Sequence, residues 1–153
     1  MRISPYYIYN NIAITACTIL GILSKFACVS LSKIAVMLPL LLDDSMVEKM
    51  MEHDYRNFDA FLRQNRMALS NFNDRYKNLL PQMVDGIALL LDLNIVSLYG
   101  NSIQLTDKEF CNTMIRYNES ERLKRICCAI EKLMDLTKRV DISTEYSKLK
   151  VLL

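Results

Sequence analysis

"PQMVDGIALLLDLNIVSLYGNSIQLT", residues 81–106, changes character halfway along. Pro81 suits the first position of a helix, where its missing N–H costs nothing. The helix it opens runs to Asn94, and Asn is the usual substitute for Gly where a helix ends in a left-handed residue. Then "IVSLY" and "SIQLT" flank Gly100-Asn101, which reads as a two-residue hairpin turn. It is the one clear β signal in a chain otherwise patterned for helices. A helix that runs into a tight hairpin, after other helices, reads as a winged-helix-like unit. In a DNA-reading version the helix before the wing enters the major groove, and it needs outward cations and amides. Between Pro81 and Leu105 there is no Lys or Arg, and Asp85 and Asp92 are acidic. This unit therefore reads as a protein-binding module rather than an operator reader.

Working back toward the N-terminus, "NFDAFLRQNRMALSNFNDRYKNLL" places Phe58, Phe61, Leu62, Leu69, Phe72, Tyr76, Leu79 and Leu80 at three- and four-residue steps. That is one helix, or two in close succession, with an apolar seam. Asp43 to Ser45 caps an amphipathic helix, "MVEKMMEH", whose methionine stripe reads as core. A helix capped by Ser30 or Ser32 turns Ile34, Ala35, Met37, Leu38, Leu41 and Leu42 inward, and Pro39 should kink or end it. The first helix spans Asn11 to Phe26, with Asn10 or Asn11 as cap. Past the hairpin, Thr106 and Glu109 have the spacing of a capping box, and Asn118 with Glu121 resembles another helix start. The helix to about Arg139 aligns Leu123, Ile126, Cys127, Ile130, Leu133 and Met134. The tail, "DISTEYSKLKVLL", is expected as a helical turn or strand docked on something.

The segment "YYIYNNIAITACTILGIL", Tyr6 to Leu23, carries no charge, yet a membrane-crossing helix needs roughly 20 apolar residues. Its dense part runs only from Ile12 to Leu23 before Lys25, and the later run Ile34–Leu42 is shorter and holds Pro39. The start lacks the basic region and small-residue cleavage site of an export signal. A helix buried nearly all round is the expectation, in a protein with no membrane role and a cytoplasmic location. Apolar residues make up 52% of the 153, enough for a sizeable core, and 19 Lys and Arg against 17 Asp and Glu give no global pull toward nucleic acid.

Chemistry is hard to place. A single histidine, His53, removes most acid–base and triad schemes, and no glycine-rich loop cradles phosphate. Cys17, Cys28, Cys111, Cys127 and Cys128 are odd in number and contain no C-x-x-C pair, so neither a disulfide framework nor a zinc site is expected. Asp43-Asp44 reads as a helix cap rather than a catalytic carboxylate pair. The residues describe a non-enzyme without catalytic, metal or cofactor site.

"NNIAITACTIL", "SLSKIAVMLPLLLDD", "FDAFLRQN" and "FNDRYKNLLP", followed by a helix running into a hairpin, resemble the middle component of bacterial three-component ABC systems, defence operons of the Lamassu type. The resemblance covers about residues 6–105. The family's Leu-Pro-Leu is matched by Leu38, Pro39 and Leu40, its aromatic-Leu by Phe61 and Leu62, its Phe-x-x-Arg by Phe72 and Arg75, and its helix-opening Pro by Pro81. Asn94 stands where the family usually has Gly. The resemblance implies a non-catalytic scaffold joining an SMC-like ABC ATPase to an effector nuclease, in a complex against phage or plasmid DNA that meets DNA through its other subunits. The competing reading is a stand-alone winged-helix DNA-binding regulator.

The expected fold is mainly α, a helical bundle with a winged-helix-like unit whose hairpin falls near residues 95–106. It divides into an N-terminal helical segment (1–56), the winged-helix-like segment (57–106) and a C-terminal helix and tail (107–153), within one compact unit. Tyr6, Tyr7, Tyr9, Asn10 and Asn11 are the candidates for partner binding, since aromatic side chains anchor interfaces. Arg63, Arg66, Arg122, Lys124 and Arg125 are the candidates for nucleic acid, though interspersed acids give the same pattern as ordinary solvated helix faces.

Overall fold

The computed structural model describes residues 11–116 and 119–152. They form eight helices and one small antiparallel sheet, a mainly α fold. The order is α1 (Ile12–Lys25), β1 (Cys28–Ser30), α2 (Leu31–Leu41), α3 (Asp44–Glu52), α4 (Phe58–Gln64), α5 (Phe72–Asp92), β2 (Val96–Tyr99), β3 (Ser102–Leu105), α6 (Lys108–Arg116), α7 (Glu121–Thr137) and α8 (Ile142–Lys148).

Local chemistry sets the helix starts. Asn11, Ser30, Asp43, Asn57, Ser120 and Asp141 each accept a hydrogen bond from the backbone N–H three residues on, satisfying one of the donors a helix start leaves open. Two expected caps move. Asp107, not Thr106, accepts from Phe110 N at 2.8 Å, while the Thr106 hydroxyl donates to the Asn94 carbonyl instead. The α7 cap is Ser120, and Asn118 lies outside the described residues.

α1 is the centre of the bundle. Ile19, Leu20, Ile22 and Leu23 are buried, and α1 packs against both α5 and α7. A glycine stands at each crossing. A Cβ on Gly86 of α5 would lie 3.4 Å from Thr15 Cγ2, and one on Gly21 of α1 would lie 3.1 Å from Ile130 Cδ1 of α7. Thr15 and Thr18 sit fully buried within this apolar setting because each hydroxyl has a partner: Gln82 Nε2 donates to Thr15 at 2.7 Å, and Thr18 donates to the Ile14 carbonyl at 2.8 Å.

α2 buries every residue from Ile34 to Leu41. Pro39 does not break it: it falls near the C-terminal end, and the helix stops two residues later. Pro81 is a correction. It does not open a helix but lies inside the single 21-residue α5. Its missing N–H would have bonded the Lys77 carbonyl, and both residues are on the exposed face, where that carbonyl is open to solvent. Tyr76, Leu79 and Met83 hold the helix to the core on either side.

α5 ends in a Schellman motif. Asn94 takes φ 56°, Ile95 N donates to Leu90 O and Asn94 N to Leu91 O. The hairpin follows, with Gly100 at φ 58° as the first central turn residue and Asn101 outside the left-handed region, the pattern of a type II′ turn. The sheet has a third member that the sequence reading missed. β1 pairs with β3 through Cys28↔Gln104, Val29↔Ile103 and Ser30↔Ser102, giving the order β1-β3-β2. Val29, Val96 and Ile103 form its buried face.

Candidate interaction surfaces

Three features are organised enough to consider. The first is the outward face of α5 and the hairpin beside it. Positions 81, 84, 85, 88, 89, 92 and 93 recur at the spacing of one helix face, and all are exposed. Val84 is 59% exposed, Leu93 58%, and Tyr99 at the hairpin tip 74%. From Pro81 onward Asp85 and Asp92 are the charges on this face, and Lys77 lies on it one turn earlier. Apolar side chains edged by carboxylates suit another protein's surface, and they repel phosphate.

The second is a polar corner where α2 turns into α3. Arg75 of α5 donates to the Pro39 carbonyl at 3.2 Å, to the Ala68 carbonyl at 3.2 Å, and pairs with Asp43. Arg122 of α7 pairs with Asp44 at 2.9 Å and donates to the Leu42 carbonyl at 3.2 Å. Each member of the Asp43-Asp44 pair therefore has its own guanidinium, and Asp43 also caps α3. The corner is a clasp joining α2, α3, α5 and α7. It leaves Arg75 Nε buried without an acceptor. Phe72 anchors α5 in the core and Arg75 fastens the corner.

The third lies at the C-terminal helix. Glu145 is 1% exposed, and Lys33 at the start of α2 binds both Glu145 and the Thr137 hydroxyl, the latter at 2.6 Å. Burial pushes the Glu145 carboxyl above its ordinary range, with Lys33 opposing. Tyr146 donates to the Ser32 carbonyl at 2.9 Å and meets the Tyr76 hydroxyl at 3.3 Å. Burial, then the Tyr76 contact, raises its phenol.

The candidates named from sequence are spread out. Tyr6, Tyr7, Tyr9 and Asn10 lie outside the described residues; Asn11 is exposed and caps α1. Arg63 is exposed on α4 and Arg66 follows its end, while Arg122, Lys124 and Arg125 are on α7. Arg122 is engaged in the corner clasp and Lys124 pairs with Glu121 at 2.9 Å, leaving Arg125 exposed beside them. The cysteines are thiols: burial raises Cys17, Cys127 and, to about 11, Cys111, whose Sγ lies 3.5 Å from the Leu20 carbonyl. Raised thiols are poor nucleophiles at neutral pH. Among the described residues, no group of His, Cys, Asp and Glu has the arrangement of a metal site, and no helix is long and apolar enough to cross a membrane.

No curated protein and no solved structure matches the chain. The family model of the ABC-three component (ABC-3C) system Middle Component 3 matches residues 4–152. The match takes in α7 and α8 as well as the helices and hairpin before them, and a component of such a system works with protein partners. The chain belongs to the Middle Component 3 family of ABC-three component systems.

Proposed function

We propose that this protein is a non-catalytic accessory subunit that joins an SMC-like ABC ATPase to an effector nuclease, in a cytoplasmic, Lamassu-type defence complex against phage or plasmid DNA. It would neither hydrolyse ATP nor cut DNA, and DNA would reach it through the other subunits. We read α1, β1, α2, α5 and the β2–β3 hairpin as a winged helix into which α3 and α4 are inserted, so in this reading the unit begins at residue 12 and not at 57 as expected from the sequence. The order helix, strand, helix, then helix and hairpin, with the early strand beside the hairpin's second strand, supports that reading.

The observation that carries the proposal is the outward face of α5. In a DNA reader this helix carries the base and phosphate contacts. Here its C-terminal half presents Val84, Leu89 and Leu93 with Asp85 and Asp92, and Lys77 is the one cation on that face, which suits a protein surface better than phosphate. Membership in a family of middle components agrees with a subunit placed between others. The test is affinity purification of the tagged chain from cells carrying its native operon, with co-purifying proteins identified by mass. A coiled-coil ABC ATPase and a nuclease should come down together. Recovery of the chain alone, with tight salt-sensitive binding to duplex DNA, would favour the stand-alone regulator and sink this reading.

A further inference from the structure

β1 stands at one end of the sheet. Leu105 N donates to the Ala27 carbonyl, Leu31 N donates to the Asn101 carbonyl, and Val29 lies opposite Ile103. In an antiparallel ladder, residues bonded to the neighbouring strand alternate with residues whose N–H and C=O turn the other way. Positions 27, 29 and 31 therefore bond β3, and Cys28 and Ser30 point their N–H groups outward. No strand lies there, and among the described residues no backbone group bonds either N–H. Natural sheet edges are guarded by a charge, a proline or a cover. Residues 26–32, "FACVSLS", contain neither charge nor proline, and Cys28 is exposed and Ser30 half-buried. Beyond this edge is a cleft. Its far wall is the end of α7 and the residues leading into α8. α7 meets the β1 side at two points: Lys25 pairs with Glu131 at 2.6 Å, and Lys33 donates to the Thr137 hydroxyl at 2.6 Å. Between them the walls part into an open cleft of about 330 Å³. Phe26, Met134, Val140 and Ile142 give it apolar walls, and each is only half-buried. Of its charged lining residues, Lys33 and Glu145 satisfy each other. Lys138 stands at the rim, its side chain 62% exposed in a surface pair with Asp135 at 3.3 Å.

We propose that this cleft docks a short extended segment of a protein partner, which adds to the sheet beside β1. Carbonyls of the segment accept from the Cys28 and Ser30 N–H groups, the way an added strand is held at a free sheet edge. A helix does not suit the site, because it bonds its own N–H and C=O groups internally. Successive side chains of a strand point to opposite faces, so the segment is aliphatic at alternate positions, and those side chains enter between Phe26, Met134, Val140 and Ile142. Lys138 at the rim selects a carboxylate next to them. Nothing in the fold has to move aside, since the cleft is already open. The site lies at the end of the sheet away from β2 and stands or falls separately from the α5 face. It rests on the proposed assembly only for the source of the segment.

Amide hydrogen exchange, resolved to single residues, tests it on the full chain alone and on the complex recovered by a tag from cells carrying the native operon. In the chain alone, the Cys28 and Ser30 amides should exchange at least about tenfold faster than the Val29 amide, which bonds β3. In the complex both should slow by at least about tenfold, while Val29 changes little. Lys138→Glu, at an exposed position, should keep the helicity of wild type and lose most of that slowing, and Lys138→Arg should keep it. A complex in which Cys28 and Ser30 exchange as they do in the free chain overturns the inference and leaves the proposed assembly standing. Slowing brought by a protein that is neither ATPase nor nuclease supports the inference and sinks that assembly. Recovery of the chain without any protein sinks both. Slowing that sets in for the chain alone as its concentration rises, with dimers on gel filtration, assigns the edge to a second copy and overturns the partner claim.

Discussion

α1 and α8 are both helices docked on the same bundle, yet opposite chemistry holds them. α1 places Ile19, Leu20, Ile22 and Leu23 in the core, each worth about 2 kcal/mol of removal from water, and glycines at two crossings let its neighbours come close. α8 contributes one buried leucine, the half-buried Tyr146 ring set edge-on to Tyr76, and a set of polar bonds, each worth about 1 kcal/mol net at best, around an ion pair whose desolvation cancels much of its attraction. The comparison teaches where each kind of contact serves. Apolar burial fixes elements that must never leave. Polar docking, through directed hydrogen bonds, fixes an element in one orientation while adding little net stability.

Substitutions can break or sharpen that contrast. The largest effect should come from the apolar side: Leu38→Asp in α2, at a position 1% exposed, buries an unpaired charge and should cost about 4 kcal/mol or more by chemical denaturation. On the polar side, Glu145→Leu alone leaves Lys33 without its anion and should cost about 3 kcal/mol. Lys33→Met combined with Glu145→Leu should return to within about 1 kcal/mol of wild type, since an apolar pair of similar volume replaces an ion pair at little net cost. A double-mutant cycle showing the two losses simply adding would contradict the account. Gly100→Ala comes next: nothing lies within 4 Å of the added Cβ, so the cost is backbone strain alone, about 2 kcal/mol. Asn94→Gly should stabilise by a few tenths of a kcal/mol or more, up to about 1, because φ 56° suits glycine.

The finest distinction is in pH. The Glu145 carboxyl titrates above its ordinary value of 4.5 in the folded chain, so the folded state holds that proton more tightly than the unfolded one. Stability from this group is therefore greatest below 4.5 and falls as pH rises through the raised folded value. Urea midpoints across that range should show the decline in wild type and lose this component in Glu145→Gln.

Much of this was legible in the chain. Asn11, Ser30 and Asp43 announced helix starts, Asn94 a left-handed end and Gly100-Asn101 a hairpin, because those signals are local and each residue supplies its own chemistry. β1 was not legible: three residues between two helices carry no alternation worth reading, and only pairing with β3 makes them a strand. Pro81 misled because the rule for proline at helix starts ignores a neighbour held by tertiary packing. The Phe72 and Arg75 signature could be recognised, but the work of Arg75 at the α2–α3 corner depends on carbonyls at Pro39 and Ala68 that no sequence pattern advertises. Lys33 and Glu145 lie 112 residues apart, and nothing local links them. The tail was expected as a helical turn or strand docked on something; it forms a helix on α2, and its polar mode of docking was invisible until both partners were in place.

The central claim is that the outward face of α5 from Val84 to Leu93, which carries no cation, holds a protein partner. The most direct measurement compares tagged wild type with a Val84→Glu, Leu93→Glu chain, both expressed with the native operon and purified on the tag. Both positions are exposed, so helicity and denaturation midpoint should match wild type. The account predicts that the variant, fully folded, loses most of the co-purifying protein that wild type retains. Equal recovery of that protein by the two chains would contradict it and move the interface elsewhere on the molecule.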